Sequence, residues 1–165
     1  MIGIIETELN AFIIMENIKK KYPKLNINIY YLKDSIIEGI ERLKENSKII
    51  IVPNNCSIKE EYPEISFLSL KELVIDNTYE LKDPELIEAI QTGNEEIINK
   101  ILKTIPQNKI ILINQPIILW IKEIIEKKLN QKVISNIDNL LDDLEKKIKE
   151  KKINHNQEGK VSVMI

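Results

Sequence analysis

The sequence predicts an α/β fold: a mostly parallel sheet of about five to six strands, with helices on both faces in a three-layer arrangement. Two observations carry this expectation. Short apolar runs such as Ile27–Tyr31, Ile49–Val52 and Ile110–Ile113 alternate with segments of helical spacing, the pattern of strands joined by helical crossovers. Several of these runs are continuously apolar rather than alternating, as strands covered on both faces require.

The elements follow in order. Residues 2–5 read as the first strand, and a helix opens near Asn10, carries Ile14, Ile18 and Tyr22 at a spacing of four, and stops at Pro23. Ile27–Tyr31 is the second strand. Asp34 or Ser35 caps a helix bearing Ile36, Ile37, Ile40 and Leu43. Ile49–Val52 is the third strand, ended by Pro53. Residues 65–68 form a weaker fourth strand, followed by a short helix at 70–75. Asp83 and Pro84 cap and open the next helix, which Gly93 closes; Asn94 opens another, closed by Pro106. Ile110–Ile113 is the fifth strand. Pro116 starts a helix to Leu129, residues 133–134 form a sixth strand, and Ser135 or Asn136 caps a last helix to Glu150. The strands at 2–5, 27–31, 49–52 and 110–113 are expected in one sheet. The reading gives one domain over residues 1–153, then a polar tail at 154–165 that is either flexible or an edge strand.

Composition narrows the function. The 165 residues carry 24 basic and 26 acidic side chains, a net charge of −2. A nucleic-acid partner normally leaves a basic footprint, and Arg42, the sole arginine, leaves almost no bidentate recognition of phosphate or base. No nucleic-acid partner is expected. The Lys-rich stretch at 146–152 is interleaved with acids and reads as a solvated helix face. Cys56 and His155 are each single, so neither an internal disulfide nor a standard zinc site can form. The acidic start and the absence of a long apolar run point away from a signal peptide and a membrane span, making the cytoplasm the expected compartment. The four glycines, Gly3, Gly39, Gly93 and Gly159, are too scattered for a phosphate-binding loop; no cofactor is expected.

Ligands of open α/β sheets bind beyond the carboxyl ends of the strands. The loops there hold Glu6, Thr7 and Glu8 after the first strand, Pro53, Asn54, Asn55, Cys56 and Ser57 after the third, and Asn114, Gln115 and Pro116 after the fifth. Such groups suit a small carboxylate or amino acid near helix N-termini. The same residue types also serve as ordinary turn and cap residues. Cys56 is the one candidate nucleophile, but no histidine stands near it in sequence, and a small buried or capping cysteine is the competing reading.

These residues also fall in a familiar order. Ile4-Ile5-Glu6-Thr7, Tyr30-Tyr31-Leu32-Lys33-Asp34, Val52-Pro53-Asn54-Asn55-Cys56-Ser57 and Asn114-Gln115-Pro116 resemble the four segments of a glutamate racemase of the aspartate/glutamate racemase superfamily, in shortened and degenerate form. The resemblance implies a racemase-like or flavodoxin-like fold. It sets Glu6 and Thr7 at the family's Asp and Ser, Asp34 at a second Asp, and Asn54 and Asn55 at the Asn and Thr after the first catalytic cysteine. Pro53 falls on that cysteine and Asn114 on the second. The family mechanism needs two thiols, one on each face of the α-carbon, and neither Pro53 nor Asn114 transfers a proton. The resemblance therefore implies a non-catalytic relative that binds a small carboxylate, an amino acid or a protein partner. The alternative is an isomerase, or another enzyme, using Cys56 or Glu6. A homodimer is expected, through an open cleft wall or through residues 161–165 adding a strand to a neighbour.

Overall fold

The computed structural model describes residues 1–54 and 61–164. The chain divides into two compact units, the first formed by residues 1–71 and 139–165 and the second by residues 72–138.

The first unit is built on a five-stranded parallel sheet. Its strands are β1 (Ile2–Glu6), β2 (Ile27–Tyr31), β3 (Ile49–Val52), β4 (Ser66–Ser69) and a C-terminal strand (Val161–Met164), in the order β4-β3-β1-β2-C-terminal strand. The first strand is buried along its whole length. From β1 the chain steps outward to β2 through helix α1 (Glu8–Lys21), then back across β1 to β3 through α2 (Ile36–Leu43). Right-handed crossovers in opposite directions put these helices on opposite faces. The α2 face is filled by Ile5, Tyr30, Ile40, Leu43, Ile50, Val52, Tyr62 and Ile65; Ile2, Ile4, Ile27, Ile29, Ile49 and Ile51, of the other parity, turn to the opposite face. Gly39 is where α2 comes closest, since a Cβ there would lie 2.7 Å from the Tyr30 ring.

The tail is tied down. Lys19 spends its three ammonium protons on the carbonyls of Pro23 (3.2 Å), Leu25 (2.6 Å) and Gly159 (2.8 Å). Asn26 N–H donates to Gln157 Oε1, and Asn26 Oδ1 accepts from Lys160 N–H, both at 2.9 Å. Gly159 turns at φ +75°, where a Cβ would strike the Pro23 carbonyl. Val161–Met164 pairs with β2 as the outer strand of this sheet.

The second unit is a three-stranded parallel sheet of β5 (Thr78–Glu80), β6 (Ile110–Ile113) and β7 (Val133–Ser135), with β6 in the centre. Its helices are α3 (Pro84–Thr92), α4 (Glu95–Leu102) and α5 (Lys122–Leu129), the last preceded by a 3₁₀ helix, Pro116–Ile121. Asp83 and Asn94 cap α3 and α4 as expected, and Gly93 closes α3 in the left-handed conformation. Helix α6 (Asn136–Glu150) then carries the chain on to the tail, the C-terminal strand hereafter being β8.

The α/β class and the mainly parallel strands agree with the sequence, but the helix expected from Pro116 to Leu129 opens as a 3₁₀ helix and turns α-helical only at Lys122, and two further details differ. Ile110–Ile113 does not share a sheet with the strands of residues 2–52; it pairs with β5 and β7. An apolar run signals a buried strand without naming its neighbours, and β5, reading Thr-Tyr-Glu, carries no apolar signal at all. The helix expected at 70–75 is absent. There the Leu73 backbone bonds to the Asn114 side chain instead of to a helical neighbour.

Candidate functional site at the carboxyl ends of the strands

In the first unit, Glu6, Thr7 and Asn54 lie at the carboxyl ends of the adjacent strands β1 and β3. Glu6 is buried, whereas Thr7, Glu8 and Asn54 are exposed, so the two glutamates do not form a matched carboxylate pair. The Glu6 carboxylate accepts the Thr7 N–H at 3.0 Å. Burial pushes its pKa up, while hydrogen bonds from the Thr7 backbone and the Asn10 side chain pull the other way. Thr7 stands at the N-cap of α1, yet its side chain caps no backbone group. This edge thus offers an exposed hydroxyl, an exposed amide and the first amides of a fourteen-residue helix, α1. Asn55, Cys56 and Ser57, the other residues expected in this loop, lie outside the described residues.

A second feature of the same edge escaped the sequence reading. A cleft of about 190 Å³ opens beyond β2 and β8, lined by Tyr30, Tyr31, Lys33, Asp34, Glu38, Arg42 and Met164. Arg42 pairs with Glu38 at 3.5 Å and stacks toward the Tyr30 ring at 6.0 Å. Burial raises the Tyr30 phenol pKa, and the neighbouring Glu38 carboxylate raises it further. The signal was present in the lone arginine placed four residues after Glu38 on α2; Met164, far along the chain, could not be assigned to it without the fold.

In the second unit, Asn114 and Gln115 follow β6. Gln115 is exposed. Asn114 is committed: its Oδ1 accepts from Leu73 N–H (2.8 Å), and its Nδ2 donates to Leu73 C=O (2.9 Å) and to Glu80 Oε1 (3.1 Å). The amide imitates one rung of a β-ladder and clamps the irregular segment before β5. Asn136 Nδ2 donates to the Asn114 carbonyl at 3.3 Å. Among the described residues no three His, Cys, Asp or Glu side chains gather as metal ligands, and no helix is long and apolar enough to cross a membrane.

Fold and edge together define an α/β chain with polar loops at the carboxyl ends of parallel strands. No family model and no curated protein matches the sequence. Among solved structures, the chain is similar to a glutamate racemase isoform of Bacillus anthracis, at a TM-score of 0.69 and 12% identity, covering 99% of this chain and 86% of that one. It is also similar to a glutamate racemase of Francisella tularensis in complex with D-glutamate, at a TM-score of 0.54 and 16% identity, covering 99% and 88%. The fold is that of the glutamate racemases, as the resemblance implied.

Proposed function

We propose that this chain is a glutamate-racemase-like binding protein that takes a small carboxylate or amino acid at its strand-end loops and does not racemise it through two thiols. The observation that carries this reading is the state of Asn114. At the position that the resemblance gives to the second cysteine stands an amide with no transferable proton at neutral pH, its polar atoms occupied by Leu73 and Glu80. At the other cysteine position stands Pro53, which has no ionisable group at all. Removing an α-proton needs a base of matched pKa within hydrogen-bond reach. Binding needs less: an exposed hydroxyl and amide, Thr7 and Asn54, beside the start of α1 suit a carboxylate. The Francisella tularensis neighbour, in complex with D-glutamate, supports an amino-acid ligand.

The test pairs calorimetry with chirality. Titration of the full chain with D- and L-glutamate, D- and L-aspartate and dicarboxylates should give saturable binding, weakened in Thr7→Ala and Asn54→Ala. Chiral chromatography of the same mixtures should show no interconversion above the protein-free rate. Interconversion would refute the non-catalytic reading, and its loss in Cys56→Ala would assign the chemistry to that thiol. Silence toward every ligand would refute the binding reading.

A further inference from the structure

We propose that the amino-terminal edge of the three-stranded sheet holds a second binding site, which takes a small amphiphilic anion: a phosphate or carboxylate head on a short aliphatic body.

Chain order places the site. Strands β5, β6 and β7 are parallel and lie side by side in sequence order. Both right-handed crossovers therefore run the same way, which puts α4 and α5 on one face. Each of these helices ends shortly before the strand it feeds, so both carboxyl ends come to the edge where β6 and β7 begin. A cleft of about 410 Å³ opens there, lined by Asn99, Leu102 and Lys103 from α4 and its C-cap and by Lys128 and Leu129 from α5. That volume lies within the roughly 300–1,000 Å³ of small-molecule sites. The site is at the opposite end of the strands from the loops of Asn114 and Gln115, and it does not depend on the reading of the strand-end loops given above.

Charge and apolar floor select the ligand. The whole chain is acidic, with a net charge of −2, yet residues 97–113 and 127–137 contain Lys100, Lys103, Lys109, Lys127, Lys128 and Lys132 and no aspartate or glutamate. The fold brings these two segments together. Gln131 Nε2 donates to the carbonyls of Pro106 (3.0 Å) and Lys109 (2.7 Å), and Ile111 N–H donates to the Lys132 carbonyl at 2.9 Å. Among the described residues none of the six lysines enters an ion pair. Lys128 donates to Asn99 Oδ1, an amide that holds the ammonium at the cleft without neutralising it. The acids of α4, Glu95 and Glu96, sit in its first turn, and Glu126 of α5 pairs with Lys122 at 3.9 Å. Lysines near helix C-termini also offset the helix dipole, but two helix ends carry only about one negative charge in all. Most of the positive charge is therefore left for an anion. Leu102 is buried and Leu129 half-buried at the cleft, and the lysine stems extend this apolar wall. Among the described residues the lining has no aromatic ring to stack a base and no arginine to fork a phosphate. An ammonium acts as a point charge, so either head group serves.

Isothermal titration of the full chain with hexyl phosphate and with hexanoate should give saturable binding, and hexanol should give none. Inorganic phosphate should bind about tenfold more weakly than hexyl phosphate, the factor that about two buried methylenes supply. Lys103→Gln with Lys128→Gln should weaken hexyl phosphate by about tenfold, and Lys48→Gln, an exposed lysine of the other unit, should leave it unchanged. Leu129→Asn should weaken hexyl phosphate and spare inorganic phosphate. Circular-dichroism melts verify that each variant folds; if Leu129→Asn does not, the comparison of the two phosphates on wild type still tests the apolar floor. During titration the amide resonances of Leu102 and Leu129 should shift. Shifts at Thr7 and Asn54 in their place would put the anion at the other unit's strand ends and overturn the proposal. Hexyl phosphate that fails to bind, or binds no tighter than inorganic phosphate, also overturns it. So does capture of phosphatidylglycerol vesicles or of a single-stranded oligonucleotide without binding of hexyl phosphate, which would assign the lysines to a larger polyanion.

Discussion

The two units solve the same problem, holding a short parallel sheet together, by different means. In the five-stranded unit the central strand β1 is buried from end to end, and its neighbours β2 and β3 press Ile, Tyr and Val side chains into helices on both faces. In the three-stranded unit the central strand β6 starts with Ile110 at 37% exposure, β5 is only half-buried, and Val74 before it is 90% exposed. There an amide fastens the chain where apolar contacts are thin. The contrast teaches that an apolar run of four residues has no fixed energetic meaning. Ile49–Val52 and Ile110–Ile113 look alike in sequence, yet only the first is enclosed along its full length.

The largest test of this contrast is Ile4→Ala. Ile4 is fully buried in β1, and deleting its side chain should cost about 2–5 kcal/mol, with a cavity left behind. Denaturant unfolding measures the loss, and amide exchange should quicken across β1, β2 and β3. A loss under about 1 kcal/mol would mean that the site collapses, which large-to-small core changes seldom allow.

Asn114→Ala probes the polar fastening. It strands the Leu73 N–H and C=O and removes a partner from Glu80, an expected cost of about 1–3 kcal/mol. Exchange of the Leu73 amide should rise far more than that of the β1 amides. Unchanged Leu73 protection would show that the clamp is not needed.

The tail of the five-stranded unit is fastened by polar bonds at Lys19 and Asn26, so Lys19→Met blurs the contrast on purpose. Losing three bonds to carbonyls should cost about 1–2 kcal/mol and raise proteolysis within residues 154–164. A tail as resistant as wild type would assign its docking to the β2 ladder and to the bonds of Lys24 and Asn26.

The smallest effect is electrostatic. Burial raises the Glu6 pKa in the folded state, so the folded chain binds this proton more tightly than the unfolded chain. Stability is lost as pH rises from the ordinary carboxylate range through the raised value. Glu6→Gln should remove that loss: the variant gains on wild type near neutral pH, and the gain disappears below the ordinary glutamate pKa of 4.5. Melting curves from pH 4 to pH 8 measure it. A variant less stable at pH 7 would mean that the bonds to Thr7 and Asn10 outweigh desolvation.

Much of the local structure was written in the residues. Ser35, Asp83 and Asn94 cap their helices, and Gly93 ends α3, because side-chain oxygens and a Cβ-free backbone act within four residues of themselves. The racemase-like order of segments rested on spacing along the chain, and the solved neighbours share that fold. The candidate site was legible in part. Thr7 and Asn54 follow β1 and β3 as expected, while Glu6 is the last residue of β1 rather than part of the loop; the cleft of Tyr30, Arg42 and Met164 joins residues far apart in sequence.

By itself, then, the sequence determined the main helix caps and the apolar strands, because capping, helical period and apolar runs are local forces; it showed neither β5 nor the irregular segment at 70–75. It also determined that Pro53 and Asn114 bring no acid or base to their positions, because that is a property of the residues. Only the tertiary structure decided that β6 pairs with β5 and β7, that Asn114 closes on Leu73 and Glu80, and that Val161–Met164 becomes the outer strand of the larger sheet. Strand partners and side-chain bonds across dozens of residues depend on which surfaces are buried together, and no local pattern encodes that choice.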